Sequence, residues 1–362
     1  MLTNVNIINY RNLKEVNEVL DQKLNLIIAP NGTGKTNFIE AIYYTVFGES
    51  FRPVSTLSEL IGSVEDMAKL SLNWFDEKLE LVVTQNQRRF ILNGKRTFQS
   101  RIPSRFPAIL FAPQSVDLVA REPSVRRQDL DHYLSILNAR YKEILNSYKT
   151  VLSNRNAMIK MIKDQKASKS DLEFWTDKLV ENADEIYKIR VKFFDDIKEK
   201  IISTVESLNG QLKDDVFNTL DVSYTSHIEG ISIDSFKEAL RSKFMDNYEK
   251  EIVVGRTLYG VHRDDFQILL GDRNLRFFGS RGQQRIGVLL FKLSQAFLIE
   301  DRFGKQPILL LDDLMSELDN SNREKLAYIL DSINFQVVLT TADGNEVPEK
   351  IKNQSKLISI LQ

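Results

Sequence analysis

The chain has no cysteine among its 362 residues, which excludes disulfides, thiolate metal sites and cysteine nucleophiles and fits a reducing cytosol. Histidine is scarce as well, with residues only at 132, 227 and 262. Neither sign of charge prevails: 49 Lys plus Arg nearly cancel 50 Asp plus Glu, so any nucleic-acid surface must be a local patch. No uncharged apolar stretch approaches the roughly 18 residues of a membrane span. The start, MLTNVNIINYRN, alternates apolar and polar residues instead of running from a charged segment into an apolar one, as an export signal does. The expectation is a soluble, cytoplasmic protein without a membrane partner. Internal repeats and low-complexity linkers are also missing.

What is present divides into three stretches. The 42% apolar content suffices for an ordinary core, and the length suits two or three domains. Residues 1–122 read mostly as strands: Val5 and Ile7 alternate with polar neighbours, 24–28 is a short apolar run, and 79–83 leads through 88–92 to Asn93-Gly94. Asn-Gly before Lys95 predicts a tight hairpin, because both central positions of such a turn favour positive φ. Residues 123–250 turn helical, with Ile186, Arg190, Phe193, Phe194, Ile197, Ile201, Val205 and Leu208 recurring every three to four positions and Asn209-Gly210 as a stop. A strand-like patch at 220–224 interrupts them before a second helical stretch near 234–250. From 251 to 362 strands and helices alternate, with strands around 266–270, 307–311 and 336–340.

The first chemical signal is Ala29-Pro30-Asn31-Gly32-Thr33-Gly34-Lys35-Thr36, between an apolar strand and a helix bearing Phe38, Ile39, Ile42, Tyr43, Val46 and Phe47. In that context backbone N–H groups and the helix N-terminus converge on phosphate oxygens. Gly32 and Gly34 allow close backbone approach, Lys35 would meet the β- and γ-phosphates of ATP, and the Thr36 hydroxyl would ligate Mg²⁺. Ala29 stands where the common pattern has its first glycine, so the backbone there must accept a methyl group.

The acidic strand such a loop needs lies near the other end, at Ile308-Leu309-Leu310-Leu311-Asp312-Asp313. Asp312 would reach Mg²⁺ and Asp313 would polarise the attacking water. Between loop and strand lies the whole helical stretch. Both chain ends must therefore meet to complete one site, with the middle inserted as a second lobe. The expected organisation is an α/β ATPase head from 1–122 and 251–362, with a mainly helical lobe at 123–250.

A third segment, Phe278-Gly279-Ser280-Arg281-Gly282-Gln283-Gln284-Arg285, opens an apolar helix, and Ser316-Glu317-Leu318-Asp319 follows the acidic strand. A polar helix cap would account for Ser280 but not for the glycine and glutamines beside it. In this order the elements resemble the ATP-binding-cassette superfamily, in which such a signature contacts the γ-phosphate held by a second subunit. The resemblance implies a composite site and an ATP-dependent homodimer, with Ser280, Gly282 and Gln283 touching nucleotide and Ser316 and Asp319 at the junction. It also implies that Gln114, after the strand 108–111, contacts Mg²⁺ and water. Where the superfamily often has a histidine, this chain has Thr340-Thr341.

Within that superfamily the chain most resembles the RecF family of bacterial DNA replication and repair proteins. The matches run nearly end to end: 9–13 (NYRNL), 37–43, 50–52, 110–113, 117–119, Arg126-Arg127, 260–265, 282–285 and 311–313. Ala29, Arg281 and Val261 depart from its usual pattern, and the first two suggest slow turnover. The resemblance implies ATP-dependent dimerisation on duplex DNA at gaps or junctions, promotion of recombinase loading, and RecR and RecO as partners. Arg88, Arg89, Lys95 and Arg96 cluster about the hairpin, with Arg52, Arg101 and Arg105 nearby in sequence; such groups would neutralise phosphates without reading bases. Arg126-Arg127 and 262–265 read either as structural ion pairs or as residues near the ATP site, and receive no catalytic role.

Rival readings differ in visible ways. A small-molecule kinase would lack the signature helix, and a transporter ATPase would lack the inserted lobe. The head of a long coiled-coil chromosome protein would need heptads sustained far beyond the about three found here. A binding module whose ATP only sets assembly state differs in turnover and not in fold.

Overall fold

The computed structural model describes residues 1–208, 215–228, 230, 232–316 and 318–360. The predicted helix stop at Asn209-Gly210 and Glu317 of the acidic segment lie outside them.

The N-terminal stretch builds a sheet and the phosphate loop. Strands β1 (Leu2–Tyr10) and β2 (Leu13–Val19) pair antiparallel, β3 (Leu24–Ile28) runs into the loop, and helix α1 (Lys35–Phe47) leaves it. Strands β4 (Met67–Trp74), β5 (Glu77–Thr84), β6 (Arg88–Leu92) and β7 (Lys95–Thr97) complete an antiparallel sheet of order β2-β1-β4-β5-β6-β7. Alternate residues such as Leu70, Leu72, Leu79, Leu81, Val83 and Phe90 are buried, the pattern of a sheet with one wet face. The predicted hairpin is there: Asn93 and Gly94 have φ of 50° and 76° between β6 and β7. Strand β8 (Ala108–Phe111) ends this part.

The middle is helical, as its periodicity predicts. After the short α2 (Asp117–Ala120) come α3 (Pro123–Leu137), α4 (Ala139–Lys163) and the 40-residue α5 (Lys169–Leu208). Helices α4 and α5 lie antiparallel, tied by Asn182 to Ser147 (2.9 Å) and Arg155 to Thr176 (3.0 Å). Strand β9 (Leu220–Thr225), helices α6 (Phe236–Asp246) and α7 (Tyr248–Val254), strands β10 (Asp265–Leu270) and β11 (Arg273–Asn274), and the short α8 (Leu275–Phe278) follow. The order β11-β10-β9 forms a small antiparallel sheet.

This lobe buries several charges. Arg155 donates to Glu251 at 2.6 Å, with both side chains at most 1% exposed. Arg190 donates to Asp131 and Asp264, and Arg126 forms a bidentate pair with Asp265 at 2.7 and 2.8 Å. The basic and acidic residues at 126–127 and 262–265 are thus structural partners: Arg127 donates to the Asp264 carbonyl, and the Asp264 carboxylate also accepts from Tyr224.

His262 is held neutral in the same network. Its Nδ1 lies 2.6 Å from the Tyr148 hydroxyl. Burial, then the Arg263 charge, lowers its pKa from 6.5 to about 3. Below pH 6.5 the unfolded chain protonates here while the folded one does not, so stability is expected to fall as pH drops from 6.5 towards 3. At full effect this amounts to about 1.4 kcal/mol per pH unit. Urea midpoints across that range for wild type and His262→Gln measure it, and the variant should show the shallower pH slope.

The C-terminal stretch returns to alternating elements: α9 (Arg281–Phe303), β12 (Ile308–Leu311), α10 (Asn320–Ser332), β13 (Val337–Thr341), α11 (Glu349–Gln354) and β14 (Lys356–Leu357). With β3 and β8 the strands make a parallel sheet of order β14-β3-β13-β12-β8, drawing on both chain ends. Strands β12 and β13 are buried along their whole length, which explains the unbroken apolar run of β12 and the Val-Val-Leu that opens β13.

Two compact units result: 1–116 with 200–219 and 278–362, and 117–199 with 220–277. The boundary drawn at 250 therefore differs from the structural one. Residues 265–270 pair with 220–225 as β10 on β9, which keeps 251–277 in the helical unit. The last turns of α5 group instead with the first unit, where the Ser294 hydroxyl donates to Thr204 at 3.3 Å.

Candidate nucleotide-binding site

The carboxyl edge of the parallel sheet gathers the motif residues. Strand β3 delivers the loop 29–36, β12 delivers Asp312 and Asp313, β13 between them ends in Thr340-Thr341, and β8 beside β12 leads to Gln114. Pairing of Leu311 with Phe111, and the Asp312 N–H bond to the Phe111 carbonyl at 2.8 Å, bring the strands carrying Asp312 and Gln114 side by side. Gln114 itself is exposed on the short helical turn Pro113–Val116.

The loop is braced from within and without. Ala29 donates its N–H to the Thr341 carbonyl at 3.3 Å, and it is not among the residues with positive φ, so its methyl group fits an ordinary backbone conformation. Thr33 closes the turn onto the Pro30 carbonyl through its N–H (3.4 Å) and hydroxyl (2.8 Å). Lys35, 6% exposed, directs its ammonium to the carbonyls of Ala29 (2.5 Å) and Pro30 (2.9 Å) and to Asn31 Oδ1 (3.5 Å). Burial lowers the pKa of Lys35, opposed by the charges of Asp313 and Asp312. Gly34 has φ of 106°, and a Cβ there would stand 2.5 Å from Leu13 Cδ2, so no other residue suits this position.

Opposite ends of the chain meet at Asp312. Its Oδ1 accepts from the Thr36 hydroxyl at 3.1 Å and the Thr340 hydroxyl at 2.8 Å. Burial raises the pKa of this carboxyl despite those two bonds, so it gains from any cation brought beside it. Asp313 stands in a left-handed conformation (φ 49°) and donates its N–H to the Thr340 hydroxyl at 3.0 Å. Its Oδ2 accepts from Ser316 at 3.0 Å, while Oδ1 is buried with no hydrogen-bond partner. An orphaned carboxylate oxygen next to a hydroxyl–carboxylate pair suits a hydrated divalent cation and a polarised water.

At the signature segment the structure corrects the sequence reading. A cap was expected to leave Gly282 and the glutamines unexplained, yet each has a local reason. Ser280 and Gln283 form a reciprocal capping box on α9, with Ser280 N–H to Gln283 Oε1 at 2.9 Å and Gln283 N–H to Ser280 Oγ at 3.2 Å. The spacing Ser-x-x-Gln was itself the signal for this box. Gly282 faces Asn322 so closely that a Cβ would strike its amide, and Gln284 donates to the Gly279 carbonyl at 3.2 Å. Asp319 caps α10, accepting from the Asn322 N–H at 2.8 Å.

Sequence reasoning passed over one more cluster. Glu40 is completely buried in α1 and accepts from both Arg11 and Arg52 as well as from Ser50. Burial alone would raise its pKa, but those bonds outweigh it and leave the carboxyl lowered. Arg52 is thereby committed, as is Arg105 to Glu77, whereas Arg88, Arg89, Lys95 and Arg96 stay exposed.

The RecF/RecN/SMC N terminal domain family matches residues 1–361. A DNA replication and repair protein RecF from Ligilactobacillus salivarius is 31% identical over 97% of this chain and 93% of its own length. The RecF of Halothermothrix orenii is 34% identical over 92% and 90%. The chain belongs to the RecF family. Solved structures agree: the recombination mediator protein RecF of the RecFOR pathway, as RecF-ATPrS, superposes with a TM-score of 0.83 at 28% identity, covering 96% of this chain and 94% of that one. RecF-ATP gives 0.82 at 29%, covering 96% and 93%. An Smc head domain from Pyrococcus furiosus, 16% identical with a TM-score of 0.53 over 99% and 94%, shares the fold.

Membership settles several expectations. This RecF-family chain is an SMC-like ATPase of DNA replication and repair, with the mixed α/β head and long helical region expected of it. Among the described residues no helix is long and apolar enough to cross a membrane.

Proposed function

We propose that this protein binds ATP and Mg²⁺ at the carboxyl edge of its parallel sheet, dimerises on ATP, and closes on duplex DNA at gaps or junctions. The observation that carries the reading is the meeting of Thr36 and Asp312, 3.1 Å apart although they stand 276 positions apart in the chain, beneath a loop closed by Lys35. Lys35 and the loop N–H groups would hold the phosphates, and Thr36, Asp312 and Gln114 would hold Mg²⁺. The metal would supply charge neutralisation at the phosphates. Asp313, through its unpartnered Oδ1, would orient the attacking water. Hydrolysis would be slow and would reopen the dimer. Asp313→Asn is expected to keep ATP binding and lower turnover by about a hundredfold, read by phosphate release.

Dimerisation would place Ser280, Gly282 and Gln283 of one copy on the nucleotide of the other. For that, the capping box at Ser280 would have to share its hydroxyl and N–H with phosphate. Ser280→Arg should retain ATP binding yet stay monomeric in sedimentation. A dimer in ATP would show that α9 does not make the contact across the interface. The exposed Arg88, Arg89, Lys95 and Arg96 are the proposed phosphate contacts on DNA. RecR and RecO are proposed partners on the strength of the RecFOR pathway that the similar RecF structures belong to.

A further inference from the structure

The geometry points to Asn12 as a positioning residue for the phosphate loop, its side-chain orientation dictated by a relay that begins at the buried Glu40. The inference rests on the ATP reading above. Arg52 donates to Glu40 and to Asn37 Oδ1, and a guanidinium has no acceptor. The atom that Asn37 turns to Arg52 must therefore be its oxygen, which leaves its NH₂ facing Asn12. Asn37 Nδ2 donates to Asn12 Oδ1 at 2.5 Å. Asn12 in turn must present its own NH₂ to the loop, where Nδ2 donates to the Gly32 carbonyl at 2.9 Å. Each amide, ambiguous by itself, is oriented by its neighbour, and the direction of the chain is set by a cation on a carboxylate that is entirely buried.

The consequence falls on the loop. Holding the Gly32 carbonyl outward turns the next N–H, that of Thr33, to the opposite side of the same rigid peptide plane. That N–H lies 3.4 Å from the Pro30 carbonyl across the turn, a long contact that under the ATP reading it would give up to a phosphate oxygen. Asn12 also stands against Gly34, its Oδ1 lying 2.9 Å from where a Cβ would be. The turn between β1 and β2, with Arg11 in a left-handed conformation (φ 53°), thus fits the loop from outside while Lys35 ties it from inside.

Asn12→Leu keeps the branched heavy-atom shape of the side chain and adds no charge while deleting both bonds; Asn37→Leu breaks the relay one step earlier, at a residue whose side chain bonds Asn12 and Arg52 and not the loop. ATP affinity by calorimetry, KM and kcat for hydrolysis, and the thermal midpoint without nucleotide are measured for the full chain and both variants. Both variants should raise Kd and KM about three- to tenfold, with kcat within about twofold and the midpoint barely moved. Wild-type affinity in both variants, or losses that track a lowered midpoint and a lowered kcat, would overturn the positioning role. Failure of the wild-type chain to bind ATP would overturn the ATP reading itself.

Discussion

Replacing Lys35 with Met is expected to abolish ATP-dependent dimerisation while leaving the chain folded. The ammonium sits 6% exposed against two loop carbonyls and Asn31, and methionine fills nearly the same volume without the charge. The freed carbonyls belong to a loop whose Pro30 and Asn31 are exposed, so water replaces the lost bonds at small cost. A bound triphosphate has no such substitute. Losing a desolvated cation that faces several phosphate oxygens costs about 3 kcal/mol or more, which is at least about a hundredfold in affinity. Light scattering with and without ATP reads the outcome, and undiminished dimerisation in the variant would refute the mechanism.

The second large effect concerns stability. Glu251→Ala is expected to destabilise the helical unit by about 3–5 kcal/mol, because it strands the Arg155 guanidinium in the interior. Arg155 is 1% exposed, held by Glu251 at 2.6 Å, Thr257 at 2.8 Å and Thr176 at 3.0 Å, with the Phe244 ring 4.2 Å away. Glu251 also accepts the Leu258 N–H at 2.7 Å, so the alanine leaves a second group unsatisfied. Replacing both partners by apolar residues, Arg155→Met with Glu251→Leu, should cost less than the single change, since neither charge is then left alone. Urea unfolding of the three chains decides this. An alanine variant within about 1 kcal/mol of wild type would mean that water reaches Arg155.

The contrast between what was legible and what was not follows from the range of the interactions. Local rules found the Asn93-Gly94 turn, the loop-to-α1 junction and the buried strand ending at Asp312, because each is written in consecutive residues. The same kind of rule extends the cap at Ser280 to a capping box with Gln283, three residues on, which a cap read from Ser280 alone leaves out. Asn12 could not be found that way: its contact with Gly32 spans 20 positions and follows no period. Thr340 was noticed only for the histidine it replaces, although its hydroxyl links Asp312 to the Asp313 backbone. The edge of the helical unit was misplaced for a similar reason, since the pairing of β9 with β10 joins segments about 40 residues apart that each look like an isolated strand. At Glu40 a lone acid in an apolar helix carried no mark of the two arginines that hold it.

The central claim is that ATP, through a site assembled from both chain ends, controls assembly on DNA. Sedimentation velocity of the full chain with and without ATP, each with and without a gapped duplex, tests it most directly. The account predicts a monomer without ATP, a dimer with it, and a larger complex only when ATP and the gapped duplex are both present. One sedimenting species in all four mixtures, or equal DNA binding with and without ATP, would contradict it.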